Sequence, residues 1–133
     1  MTNYPQVRLG DVCESVSITH KLKQDKIILV NTSDVFDGKV TNHNYVENKN
    51  LRGQFKKRFK RNDILYSEIR PKNKRFAFVD FEAMDYVAST KLMAIRAYDN
   101  ILPIFLFQIL KNDNLLDRLQ VLAETRSGTF PQI

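Results

Sequence analysis

Two strand-like runs, Ile64-Leu65-Tyr66-Ser67-Glu68-Ile69-Arg70 and Arg75-Phe76-Ala77-Phe78-Val79-Asp80, are separated only by Pro71-Lys72-Asn73-Lys74. So short a connection between β-branched and aromatic runs predicts an antiparallel hairpin, here with a basic tip. Lys26-Ile27-Ile28-Leu29-Val30 is a strand by its β-branched content, and it leads to Asp37-Gly38, a tight-turn signal. Thr41 to Asn50 is polar and asparagine-rich and reads as loop, with a short extended piece around Tyr45-Val46. Tyr86-Val87-Ala88-Ser89 and Lys91-Leu92-Met93-Ala94-Ile95-Arg96 add one or two strands. Val7 to Cys13 fits a short helix or an entry strand, because Gly10 disfavours a long helix. Phe55 and Phe59 stand four apart, which suits either a helical turn or a partly buried loop.

Beyond residue 98 the pattern changes. Asp99 or Asn100 is placed to cap a helix from Ile101, with Pro103 in its first turn and Ile104, Phe107, Ile109 and Leu110 as its apolar side. A second helix is predicted over roughly Asn114 to Ala123, with Leu115, Leu119 and Leu122 at helical spacing, and Arg126 to Pro131 ends it as a polar loop. The expected fold is α/β (α+β): a mixed, largely antiparallel sheet with two C-terminal helices packed on it. A length of 133 residues suits one domain, and a 43% hydrophobic content with nine Phe and five Tyr supplies a core. The longest apolar run, Ile101 to Phe107, interrupted by Pro103, is far below the ~20 residues a membrane helix needs. Met1-Thr2-Asn3-Tyr4-Pro5 has no signal-peptide character, and Cys13, the single cysteine, can form no internal disulfide. A soluble, cytoplasmic protein without membrane association is expected.

Charge is concentrated. The net charge is +6, yet the eleven Lys and Arg between Lys49 and Arg75 face only Asp63 and Glu68, so this segment carries +9 and the rest −3. Such a segment attracts a polyanion and releases its condensed counterions.

Catalytic signatures are absent from the sequence. His20 and His43 are the only histidines, and four glycines leave no phosphate-cradling loop or dinucleotide fingerprint. The nearest enzymatic alternative is a magnesium nuclease using Asp63 and Glu68 with Arg70 or Lys72; arginine is a poor base, and Lys72 lies beyond Pro71. No cofactor, metal or catalytic residue is expected.

Duplex DNA is the favoured partner. Arg52, Lys56, Lys57, Arg58, Lys60 and Arg61 are candidates for phosphate contacts, and Arg70, Lys72, Lys74 and Arg75 flank a turn suited to a groove. Thr32, Ser33, Ser89 and Thr90 follow strand ends and are further candidates for base or groove contact. Ser89 and Thr90 fit local turn hydrogen bonding equally well.

The order of these features resembles the target recognition domain of the specificity subunit of type I restriction-modification systems. Val7-Arg8-Leu9-Gly10-Asp11-Val12 is similar to that family's opening, and Asn31-Thr32-Ser33-Asp34-Val35 with Asp37-Gly38 to its first strand and turn. Phe59-Lys60-Arg61-Asn62-Asp63-Ile64-Leu65-Tyr66-Ser67 resembles its central motif, and Tyr86 to Leu92 the strand pair beyond. Ile101-Leu102-Pro103-Ile104-Phe105-Leu106 and Ser127-Gly128-Thr129-Phe130-Pro131-Gln132-Ile133 are similar to its closing signatures. The resemblance implies that residues 1–133 form one recognition domain, without the long spacer helix and second recognition domain of a complete subunit. It implies sequence-specific recognition of double-stranded DNA, with methylation by separate modification subunits, cleavage by a restriction subunit, and a second copy as a possible partner. It also adds Arg126, Ser127, Gly128 and Thr129 as phosphate contacts, and it leaves as a second alternative an anti-restriction or structural protein that binds modification subunits without DNA.

Overall fold

The computed structural model describes residues 9–19, 22–49, 51, 55–67 and 73–112. A short helix α1 (Leu9–Val12) leads into β1 (Cys13–Val16), followed by β2 (Lys26–Val30), a 3-10 turn (Thr32–Asp34), β3 (Val35–Phe36), β4 (Lys39–Val40) and β5 (Tyr45–Glu47). Then come β6 (Phe55–Lys57), β7 (Ile64–Ser67), β8 (Phe76–Phe78), β9 (Tyr86–Ser89), β10 (Leu92–Ala97) and the helix α2 (Pro103–Leu110). The entry segment is thus helix and then strand.

The strands divide between two four-stranded sheets, ordered β1-β10-β7-β8 and β5-β2-β9-β6, with β3 and β4 as a separate ribbon. Every pairing is antiparallel except β2 with β9. The parallel pair falls where the sequence is apolar without alternation: Ile27, Ile28 and Val30 are all buried, so β2 has no solvent face. The expected hairpin is present, with Ile64 opposite Phe78 and Tyr66 opposite Phe76. Its segment 68–72 lies outside the described residues.

Asp37 and Gly38 close the β3–β4 ribbon with φ of 48° and 102°, the paired positive values of a two-residue hairpin turn. The Gly38 N–H donates to the Phe76 carbonyl at 2.9 Å and its carbonyl accepts from the Phe78 N–H at 3.0 Å, so the ribbon leans on β8. Beyond β1, the Arg58 N–H donates to the Ile18 carbonyl at 2.7 Å and ties the edge of one sheet to the edge of the other.

Period-two alternation gives the first sheet two apolar faces. Leu65, Leu92 and Ala94 turn toward the second sheet and pack with Ile28, Val30, Ala88 and Phe59. Ile64, Tyr66, Phe76, Met93 and Ile95 turn the other way, against Leu106, Phe107 and Leu110 of α2 and against Val12 and Cys13. The order of layers is helix, sheet, sheet, and each fully buried large side chain contributes about 1.5–3 kcal/mol.

α2 departs from expectation at its start and in its phase. Leu102 occupies the cap position, with Pro103 in the first turn, while the Asn100 side chain donates instead to the Asp11 carbonyl at 2.9 Å. The proline's fixed φ suits the first helical turn and moves the start beyond Asn100. The buried face is Leu106, Phe107 and Leu110, whereas Ile104 and Ile109 are exposed. The predicted helix at 114–123 lies outside the described residues.

Candidate nucleic-acid interface

Strand pairing decides which loops share an end of the molecule. Val30 and Ala88 are partners in the parallel pair, so β2 and β9 finish side by side. β9 turns through Thr90 and Lys91 into β10, whose first residue, Leu92, pairs with Ser67 at the end of β7. The Ser67 N–H donates to the Arg75 carbonyl at 2.9 Å, which brings the start of β8 to the same end. Thr32, Ser33, Lys74, Arg75, Thr90 and Lys91 therefore gather there.

This end is held firmly. The Asn31 N–H donates to Asp34 Oδ2 at 2.8 Å, which shapes the turn carrying Thr32 and Ser33. Lys74 adopts a left-handed φ of 58° and its carbonyl accepts from the Asp37 N–H at 2.8 Å. The Arg75 guanidinium donates to the Val35 carbonyl at 3.3 Å and lies 5.3 Å from the centre of the half-exposed Phe36 ring. Lys74, Thr90 and Lys91 are exposed.

Two expected contact residues lie inward. Lys57 is buried, and its Nζ donates to the Leu92 carbonyl at 2.8 Å. The cause is a bulge: Phe55 opposes Ser89 while Lys57 opposes Ala88, so one extra residue re-aims Lys57 toward the space between the sheets. Ser89 is fully buried, and its Oγ accepts from the Lys91 N–H at 3.1 Å.

The rest of the basic tract does not gather with Lys74 and Arg75. Lys60 and Arg61 stand in the turn before β7, at the far end of a four-residue strand, ~13 Å away at the usual rise. Arg61 pairs with Glu82 at 2.8 Å and also donates to the Asp80 carbonyl. Arg58 donates to the Met84 carbonyl at 3.2 Å, its Nε is buried without a hydrogen-bond partner, and burial lowers its pKa against the opposing field of Asp85. Lys49 pairs with Glu47 at 3.0 Å, beside the start of β2. Arg52, Arg70, Lys72 and Arg126 to Thr129 lie outside the described residues, as does the Lys56 side chain.

Asp63, the carboxylate considered for a nuclease metal, is engaged on both oxygens. Arg96 donates to Oδ1 at 2.9 Å and to Oδ2 at 2.8 Å, and Oδ2 also accepts the Lys60 N–H at 2.9 Å. Hydrogen bonding to this carboxylate raises the Arg96 pKa. Among the described residues, no three His, Cys, Asp or Glu gather as a metal site, and no helix is long and apolar enough to cross a membrane. Lys91 and the Asp63–Arg96 pair escaped sequence reasoning, because each depends on strand partners distant in the chain.

Comparison with known proteins agrees with this architecture. The family model described as type I restriction modification DNA specificity domain matches residues 1–133. The chain is 42% identical over 135 aligned residues to the type I restriction enzyme HindI specificity subunit of Haemophilus influenzae, covering all of this chain and 29% of that subunit. A chain from a solved type I R-M system superposes with a TM-score of 0.71 at 24% identity, over 96% of this chain and 34% of that one. The crystal structure of the HsdS subunit from Thermoanaerobacter tengcongensis gives the same TM-score and identity, over 80% of this chain and 29% of that one. At that identity the two structures speak for the fold. On the match over its whole length and the 42% identity, the chain belongs to the type I restriction modification DNA specificity domain family.

Proposed function

We propose that this chain reads the sequence of double-stranded DNA as a recognition domain of a type I specificity subunit, directing methylation and cleavage carried out by other subunits. The observation that carries this reading is the family match over residues 1–133. The end bearing Thr32, Ser33, Lys74, Arg75 and Thr90 is the part that meets the duplex. Lys74 and Arg75 supply cations, and the hydroxyls supply donors and acceptors without long side chains to immobilise. Arg52, Arg70, Lys72 and Arg126 to Thr129 remain candidates by sequence. Lys60 and Arg61 at the opposite end, and Lys57, Arg58 and Ser89 with their internal partners, are left out of the contact set. Phosphate contacts fix register, and each good bidentate base contact adds about 1–3 kcal/mol of discrimination. The chain supplies recognition and no catalysis. Its partners are modification subunits and, through them, a restriction subunit, with a second recognition domain or second copy reading the other part of a split target. Its compartment is the cytoplasm, where these partners meet DNA.

Selection from random duplexes at two salt concentrations tests the proposal. The wild-type chain enriches a defined sequence, and Arg75→Ala weakens or changes that preference. Recovery of an unbiased pool at both salt concentrations would refute it.

A further inference from the structure

Two residues that the sequence marked as candidate DNA contacts, Lys57 in the basic tract and Ser89 at a strand end, converge on the same short turn. Ser89 Oγ accepts the Lys91 N–H at 3.1 Å, and Lys57 Nζ donates to the carbonyl of Leu92, the next residue. Ser89 is fully buried and Lys57 nearly so, which makes these hydrogen bonds costly to lose without replacement. The turn they brace joins the two sheets and presents an exposed Lys91 beside Thr90. No ion pair to Lys91 occurs among the described residues. A braced turn fixes the backbone from which Lys91 projects, so a phosphate contact there orders only the lysine side chain and not the turn.

We infer that Lys91 is a DNA-phosphate contact, and that Lys57 and Ser89 are positioning residues that hold its turn. The inference rests on the reading that this end of the molecule meets DNA. It reassigns the lysine of the basic tract from the duplex to the scaffold, and hands its charge role to a lysine outside the tract. Because phosphate contact is independent of sequence, the inference is testable on a random-sequence duplex whether or not a preferred sequence exists.

The experiment measures affinity of the full chain for a random-sequence duplex across a salt series. Lys91→Gln is expected to lower the slope of log affinity against log salt by roughly one and to weaken binding roughly three- to tenfold at low salt. Lys49→Gln, at the other end of its sheet and paired with Glu47, is expected to leave the slope unchanged. An unchanged slope for Lys91→Gln, or an equal drop for Lys49→Gln, overturns the phosphate contact while leaving sequence recognition intact. A wild-type chain that binds no duplex at low salt overturns both. Positioning is read from a double-mutant cycle: Lys57→Gln or Ser89→Ala combined with Lys91→Gln should cost no more affinity than Lys91→Gln alone. Ser89→Ala carries the cycle if Lys57→Gln fails to fold, and additive losses overturn the positioning role.

Discussion

Replacing Asp63 by Ala removes the acceptor of three hydrogen bonds at once. The carboxylate is 1% exposed, takes both arms of the Arg96 guanidinium at 2.9 and 2.8 Å, and receives the Lys60 N–H at 2.9 Å. Breaking a buried ion pair costs about 3–5 kcal/mol, chiefly because the survivor is left uncompensated. The Arg96 side chain is 24% exposed and keeps some hydration, which puts Asp63→Ala near the lower limit, at about 3 kcal/mol. Arg96→Met strands the deeper partner and should cost more, about 4–5 kcal/mol. Asp63→Asn keeps the shape and one acceptor, so it should fall between wild type and Asp63→Ala. The double variant Asp63→Ala, Arg96→Met buries no charge and should recover part of the loss. Urea unfolding followed by circular dichroism, with the cycle closed across all four proteins, measures these differences. Single losses below about 1 kcal/mol that add without coupling would place the pair among ordinary solvated surface bridges and refute the reasoning.

The remaining predictions concern packing and ionisation. Phe107→Ala should cost about 3–5 kcal/mol in urea, because its ring is buried against Phe76 and Phe78, whereas Phe105→Ala on the exposed side of α2 should stay within about 0.5 kcal/mol. Gly38→Ala should destabilise by about 1–3 kcal/mol, since φ is 102° and the new Cβ would lie 3.3 Å from Phe107 Cζ; wild-type stability in the same melt would refute this. Burial pushes the Cys13 thiol up from 9.0 to about 11, so it should label slowly at pH 8 in the native chain and rapidly in urea. The folded state retains that proton after the unfolded state has lost it. The resulting stability is therefore present below pH 9 and lost as pH rises toward 11, a decline that Cys13→Ala should make shallower, the remainder coming from Tyr66 and Tyr86, whose burial also raises their pKa.

Local features were legible from the chain because local rules govern them. Lys26–Val30 is a strand with the predicted bounds, Asp37-Gly38 makes the predicted turn, and Ile64–Ser67 and Phe76–Phe78 form the predicted hairpin. Pairings between distant residues were not legible, since neither the division into two sheets nor the β2–β9 contact leaves a local mark. The contact surface suffered for the same reason. Eleven cations clustered between Lys49 and Arg75 suggested one patch, yet a four-residue strand carries Lys60 and Lys74 to opposite ends, and one bulge turns Lys57 inward. Lys91 carried no signal at all. The role proposed for it rests on a turn whose location depends on both sheets.

The pairing of Cys13 with Ala97, and of Val30 with Ala88, has a consequence for biogenesis. Neither sheet can be completed by a nascent chain until β9 and β10 have left the ribosome, so β1 waits for its partner and β2, although β5 can pair along one edge, keeps its other edge open until then. Loop closure over such spans makes folding slow compared with helical domains of similar size. During that wait the open edge of the apolar β2 strand is available for mispairing with another chain.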